Sequence, residues 1–259
     1  MMTTKISILI CADKFDKYFE QAIDSCLNQT FTDFEIILVV NGISDNYKHK
    51  FIDFSDKHEC IQLYFTDIHC LTYSLNFGLD KCNGLYIARM DADDIAYPKR
   101  LEKQVLFMDK NSDIAVCGTW YEFIDENNNI ITKVKLPISD AEIRRALYWS
   151  NPLCHPSVMI RSDILKKFCG YMGGIYAQDY DLWLRIVFVR SAKFYNIPEV
   201  LMGYRKKVST GGVRYSRLAY ANSASYSLRN FLLTYNPLWL LGSFVHMVRM
   251  LIKPKLKGL

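Results

Sequence analysis

The stretch LYIARMDADDIAYPKR, residues 85–100, sets three carboxylates, Asp91, Asp93 and Asp94, directly behind an apolar run that reads as a buried strand. Crowded carboxylates repel one another, so a cation, a helix terminus or water must relieve them. Asp91 and Asp93 stand two residues apart, and in extended backbone they point to the same side. Such a pair suits a hard divalent cation, Mg²⁺ or Mn²⁺, whose remaining positions a diphosphate can fill. Capping a helix that begins near Pro98 would need only one of the three, and Asp94 is the candidate left for it or for a supporting contact. A rival chemistry, the aspartyl-phosphate of certain phosphotransferases, also uses Asp-x-Asp after a strand. There the motif follows the first strand, whose end in this chain, ICADKF, holds the single acid Asp13.

A second acidic group opens AQDYDLWLRIVF, where Leu182, Trp183, Ile186 and Val187 form the apolar face of a helix. Asp179 and Asp181 fall at its start, a place that favours acids as caps whatever else they do. A third group is basic: Arg205, Lys206 and Lys207 in MGYRKKVSTGG, residues 202–212, suit either an anionic ligand or a solvated turn. His155, in NPLCHPSVMI, precedes a strand, and a lone histidine is more often structural than a ligand. The loop CGYMGGIYAQ, residues 169–178, has the aromatic and glycine content of a mobile binding loop, whereas Trp120, Tyr121 and Trp149 read as core.

The elements that must carry these groups alternate. KISILIC, FEIILVV, IQLYF and LYIARM read as strands, separated by helical patterns near 15–29, 45–57 and 71–82. Strands alternating with crossover helices imply a mostly parallel α/β sheet covered on both faces. Further on come a helix from Pro98 to about Asn111, a hairpin of IAVCGTWYEFID and IITKVKL, and a helix near 139–148. The strand SVMIR, a helix from Gln178 and a strand near 199–204 complete the pattern. The last apolar segment, Pro237 to Ile252, is shorter than the ~20 residues of an ordinary span. With Lys253, Lys255 and Lys257 behind it, it is either a helix lying on a membrane or one packed on the domain or a partner subunit.

Composition bounds the reading. The 259 residues are 50% hydrophobic, enough for one large domain, and the net charge of +5 is too mild to point to nucleic acid. Eight cysteines without C-x-x-C spacing read as reduced thiols, and MMTTKISILICADK lacks the form of a secretory signal, so a cytosolic compartment is expected.

Four segments in order, ISILICADK, AIDSCLNQTFTDFEIILVVNGISD, LNFGLDKCNGLYIARMDADDIAYPKRLEKQ and HPSVMIRSDIL running on to AQDYDLWLRI, resemble family-2 glycosyltransferases of the GT-A fold, the bacterial surface-polysaccharide type. The resemblance covers about residues 5–205. It implies a Rossmann-like, mostly parallel central sheet flanked by helices, with a C-terminal helical extension. The expected division is a GT-A domain over 1–212, with a nucleotide-sugar half at 1–97 and an acceptor half at 98–212, and a helical extension over 213–259 whose segment 236–259 meets either the membrane surface or protein.

By the same resemblance Ala12, Asp13, Asn41, Asn76, Arg89, Asp91 and Arg205 face a nucleoside-diphosphate sugar, UDP-linked in the first instance. Asp93 with Asp91 holds Mn²⁺ or Mg²⁺, and Asp179 is the general base of an inverting transfer to a saccharide or lipid-linked saccharide acceptor. His155 and Gln178 border that acceptor. Three positions depart from the family pattern: Asn41 and Gln178 stand where an acid is usual, and Lys207 where a histidine is common. A catalytically impaired sugar-nucleotide-binding or scaffold protein of the same fold is the alternative these departures leave. The expected location is the cytoplasm, peripheral at the inner face of the cell membrane.

Overall fold

The computed structural model describes residues 4–206 and 217–252. Lys207 and the glycines of 211–212 lie outside the described residues, as do Lys253, Lys255 and Lys257. Strands β1 (Ile6–Ala12), β2 (Phe34–Asn41), β3 (Ile61–Thr66) and β4 (Tyr86–Asp91) run parallel in the spatial order β3-β2-β1-β4. Helices α1 (Lys17–Leu27), α2 (Asp45–Ser55) and α3 (Leu71–Leu79) connect them. Successive strand residues face opposite layers. Ile6, Ile8, Ile10, Leu38 and Val40 pack under Phe19, Ile23 and Phe51. Leu9, Ile37 and Val39 pack under Leu75, Leu79 and Trp183. Burial on both faces is why these strands are unbroken apolar runs.

Beyond β4 the direction changes. After the two-residue β5 (Ile95–Ala96) and α4 (Arg100–Lys110) come the hairpin strands β6 (Ile114–Ile124) and β7 (Ile130–Val134), then α5 (Asp140–Ala146). A single 3₁₀ turn at His155–Ser157 leads into β8 (Met159–Arg161), which pairs antiparallel with both β4 and β6. Helices α6 (Ser162–Lys167) and α7 (Gln178–Ile186) precede the long β9 (Lys193–Arg205), parallel to β6 and antiparallel to β5. The buried Gln104 on α4 donates to the carbonyls of Cys117 and Ser157, tying the helix to β6 and to the turn that carries His155.

Two helices close the described chain, α8 (Arg217–Thr234) and α9 (Pro237–Ile252). Asn236 accepts from the Leu238 N–H at 3.0 Å ahead of Pro237, an N-cap followed by proline at the first helical position. One face of α9 packs on the body: Trp239 meets Tyr148 with ring centroids 4.2 Å apart, and a Cβ on Gly242 would collide with the Tyr148 carbonyl. Ser243 Oγ donates to the Ala224 carbonyl at 2.8 Å, joining α9 to α8. Among the described residues no helix is long and apolar enough to cross a membrane.

Candidate active site

The carboxyl ends of β1, β2 and β4 form one rim of the sheet. Asp91 ends β4 beside Cys11 of β1, so Ala12 and Asp13 follow at the neighbouring position. Asn41 ends β2, is buried, and donates from Nδ2 to Ser74 Oγ on α3 at 2.8 Å. Gly42 follows with φ +65, and a Cβ there would press into the His69 ring, which itself lies 3.9 Å from the Asp13 carboxylate. The turn therefore requires glycine, and it holds Asn41, His69 and Asp13 together on the side away from the second half of the sheet.

Arg89, fully buried one pleat below Asp91, ion-pairs with the Asp91 carboxylate through Nη2. Its Nε and Nη1 are buried without a hydrogen-bond partner. About a third of the Asp91 side chain, 31%, stays exposed to the cleft above. Asp94 does not cap α4, whose N-cap is Lys99. The chain turns back into β5 first, and the buried Asp94 Oδ1 accepts the Arg205 backbone N–H at 2.8 Å. Burial, with Asp91 and Asp93 adding to it, holds the Asp94 carboxyl well above the usual carboxylate range, and its Oδ2 has no partner. The charges of Asp91 and Asp93 thus reach Asp94, with the Arg205 N–H and Arg89 acting against them.

That observation bears on a cation. Among the described residues no group of three or more His, Cys, Asp or Glu side chains could hold a metal unaided. Asp91 at the end of β4 and Asp93 two residues on have the oxygen chemistry of a site for a cation that takes its other ligands from substrate phosphates and water, as Mg²⁺ does.

Arg205 is spent inside the fold. Its Nε donates to the Asp93 carbonyl at 2.7 Å, Nη1 to the Asp125 carbonyl at 2.8 Å, and Nη2 to Asn128 and Gln21, with Tyr18 stacked 4.6 Å from the guanidinium. It bolts the Asp93–Asp94 corner to β9 and to the β6–β7 turn. Asn76 is likewise committed: its amide donates to the Tyr171 carbonyl and accepts the Tyr171 N–H, at 2.7 and 2.8 Å. Gly170 precedes with φ +62, and a Cβ there would collide with Asn76 Oδ1.

Tyr171 so clamped meets His155 Nε2 at 2.9 Å. Burial, and then the nearby Arg89 charge, push the His155 imidazole well below its ordinary value, so it is neutral at neutral pH. Burial pushes the Tyr171 phenol up. The pair forms an uncharged wall.

Asp179 and Asp181 separate by environment. The N-cap of α7 is Ala177, in the left-handed region at φ 57, and no side chain caps the helix; both acids lie within the first turn. Asp181 is buried and ion-paired to Arg185 at 2.8 Å and to Arg229 of α8 at 2.5 Å, while Arg185 also donates to the carbonyls of Phe168 and Gly170. Asp179 instead accepts from Asn151 Nδ2 at 2.6 Å and lines a cleft of about 730 Å³. Asn151 Oδ1 in turn accepts the Leu153 N–H at 3.2 Å, which fixes the amide.

The cleft brings Asp91, His155, Gln178 and Asp179 to one surface, and α8 and α9 complete its wall with Tyr220, Ser223, His246 and Arg249. Ala12, Asp13 and Asn41 stand along the adjoining rim, and Asn76, Arg89 and Arg205 brace it from within. Asn151 and the α8–α9 wall are absent from the sequence reading. Asn151 sits in a proline-bracketed loop with no periodicity, and only the fold brings it to Asp179.

Comparison with known proteins bears on the family and the fold. The sequence pattern described as Glycosyl transferase family 2 matches residues 7–168. The chain is 37% identical over 254 residues to the O-antigen biosynthesis glycosyltransferase WbnJ of Escherichia coli, covering 96% of this chain and 97% of that one. It is 32% identical over 187 residues to the amylovoran biosynthesis glycosyltransferase AmsE of Erwinia amylovora, covering 72% and 70%. Among solved structures it is similar to S. aureus TarS 1–349 in complex with UDP-GlcNAc, with a TM-score of 0.69 at 14% identity over 95% of this chain and 71% of that one. The mannosyltransferase PcManGT from Pyrobaculum calidifontis, in complex with GDP-Man and Mn²⁺, gives 0.63 at 14% identity over 97% and 76%. These two likenesses are of fold.

Proposed function

The chain belongs to glycosyl transferase family 2 and has the GT-A fold, and from that premise we propose that it is an inverting enzyme moving a sugar from a nucleoside diphosphate, UDP in the first instance, to a hydroxyl of a growing surface polysaccharide. Residues 1–97 are the donor half, 98–212 the acceptor half, and 213–259 an extension that walls the acceptor side. The observation that carries the reading is a single cleft lined by Asp91 from β4 and Asp179 from α7, the latter held by Asn151. The names of WbnJ and AmsE support polysaccharide synthesis, and the complexes of TarS and PcManGT support a nucleotide-sugar donor.

Asp13 and Asn41 take the nucleoside at the rim, and Arg89 keeps Asp91 turned toward the donor. Arg205 holds the Asp93–Asp94 corner rather than the diphosphate itself. Asp91 and Asp93 would hold Mn²⁺ or Mg²⁺, which when bound supplies Lewis-acid stabilisation of the departing nucleoside diphosphate. Asp179 takes the acceptor proton as that oxygen forms its bond to the anomeric carbon and the bond to the diphosphate oxygen breaks with its electron pair. The neutral His155–Tyr171 pair and Gln178 offer hydrogen bonds to a sugar without competing for the proton.

A thermal-shift panel of nucleoside-diphosphate sugars with and without Mn²⁺ identifies the donor, and transfer or hydrolysis by wild type is then compared with Asp179→Asn. Metal-dependent stabilisation by one donor class, with turnover in wild type alone, is expected. Binding without turnover in either protein would favour the scaffold reading, and no stabilisation by any donor would sink the proposal.

A further inference from the structure

The glycine-bearing loop between α6 and α7 reads in the sequence as mobile, and in the structure it is pinned. Its start is clamped to α3 through Asn76 and Tyr171. Farther on, the Gly174 N–H donates to Tyr226 Oη of α8 at 2.7 Å, and the Tyr176 carbonyl accepts from Asn222 Nδ2 at 2.9 Å. Tyr226 Oη donates to the same carbonyl at 3.4 Å. The glycines serve this contact. A Cβ on Gly173 would stand 3.1 Å from Tyr226 Oη, and one on Gly174 would stand 3.0 Å from Asn222 Nδ2. Both glycines thus let the loop backbone come close to α8.

Asn222, Tyr226 and Arg229 are four and three residues apart, so they share one face of α8. From that face Arg229 ion-pairs with Asp181 of α7. Between the two grips lies Ala177, held at φ 57 and ψ 32. That left-handed conformation is unfavourable for a residue with a Cβ and persists where its surroundings dictate it. Asp179 follows two residues later, between the anchored Tyr176 carbonyl and the anchored Asp181 side chain. The backbone that presents Asp179 to the cleft is therefore held by α8 on both sides. Ile175 and Tyr176 of the same loop line that cleft.

We propose that Asn222 and Tyr226 are positioning residues for the acceptor side. Through them the helical extension fixes the loop 173–177, and with it the placement of Asp179 and of the Tyr176 wall. The kinetic consequence rests on the proposed transfer reaction, whereas the anchoring is independent of it.

Tyr226→Phe removes the hydroxyl and keeps the ring, and Asn222→Ala removes the amide. Hydrogen exchange of the full chain reports the anchor without any substrate. The segment 174–181 includes the Gly174 N–H and the Asp181 N–H, which donates to the Ala177 carbonyl at 3.1 Å. Its exchange should quicken roughly threefold or more in each variant. With donor and acceptor varied separately, kcat/KM for acceptor should fall roughly three- to tenfold in each variant and further in the double variant. The KM for donor should hold, and melting should shift by no more than a few degrees. Unchanged exchange over 174–181, or unchanged acceptor kinetics despite faster exchange, would overturn the proposal. Equal losses for donor and acceptor would do the same, because they mark a general loss of structure. A wild type that transfers no sugar, with exchange responding as expected, would sink the transfer reaction and leave the anchor standing.

Discussion

Asn151 offers the sharpest test of the catalytic geometry, because its amide makes two bonds that different substitutions take apart. Nδ2 donates to Asp179 at 2.6 Å, and Oδ1 accepts the Leu153 N–H at 3.2 Å. Asn151→Ala removes both. Asn151→Asp keeps an oxygen for Leu153 and replaces the donor with a second carboxylate facing Asp179. A hydrogen bond to a charged group contributes about 1.5–3 kcal/mol. If that bond orients the base, its loss appears in the barrier at about 1.4 kcal/mol per tenfold. Asn151→Ala should lower kcat about ten- to hundredfold with little change in the KM for donor. Asn151→Asp should fall at least as far although its loop is better preserved, because repulsion turns Asp179 aside. The measurements are steady-state kinetics with donor and acceptor varied separately, alongside a melting curve for each variant. If Asn151→Asp is as active as wild type while Asn151→Ala is impaired, the residue serves the loop alone and the positioning argument fails.

Two further outcomes follow from the acids the site does not use as a base. Asp181→Asn leaves Arg185 and Arg229 beside a buried amide; breaking such a pair costs about 3 kcal/mol at the lower end of the range, because Arg229, 37% exposed, regains water. Melting should fall roughly 6–12 °C while kcat of the folded protein holds, the reverse of the pattern for Asp179→Asn; equal loss of activity in both would refute the division of labour between them. Asp94, raised above its ordinary 3.8 mainly by burial, favours the folded state below that value and loses the contribution as pH rises through its folded pKa. Asp94→Asn escapes that loss, so its melting temperature relative to wild type should climb as pH rises above the ordinary carboxylate range; a difference independent of pH would show that the carboxyl is ionised and compensated.

The first half of the sheet is legible in the sequence because strands buried on both faces become unbroken apolar runs, and KISILIC becomes Ile6–Ala12 almost residue for residue. Later elements hide for separate physical reasons. Pro198 interrupts β9, and the structure accommodates it as an irregularity between the pairs Thr119–Ile197 and Trp120–Val200, so a reading by alternation finds only the end of the strand. Helix α8 buries Ala219, Ser223, Ala224, Ser227 and Asn230, small and polar side chains that form no apolar stripe. Two of these polar groups are absorbed locally: Ser223 donates to the Ala219 carbonyl, and Asn230 donates to the Leu184 carbonyl of α7. The acids of α7 fail differently. Asp179 and Asp181 occupy one turn with the same chemistry, and only the opposing Asn151 on one side and Arg229 on the other tell them apart.

The order of strands explains why the acidic cluster ends β4 and no other strand. From β1 the chain moves outward to β2 and β3, then returns to the far side of β1 as β4. Successive crossovers that diverge from β1 in this way leave a crevice at the carboxyl ends of β1 and β4, where open α/β sheets take their ligands. Asp13 and Asp91 stand on its two sides. On its other edge β4 pairs antiparallel with β8, so the turn that enters β8 brings His155 to the same end of the sheet. One strand thus borders a parallel half able to present a nucleotide and an antiparallel half able to present a second substrate. An acidic pair meant to serve both has its natural place at the carboxyl end of β4. On the proposed reaction a base for the second substrate comes from a later element, and α7, anchored through Asp181, sets Asp179 in the same cleft.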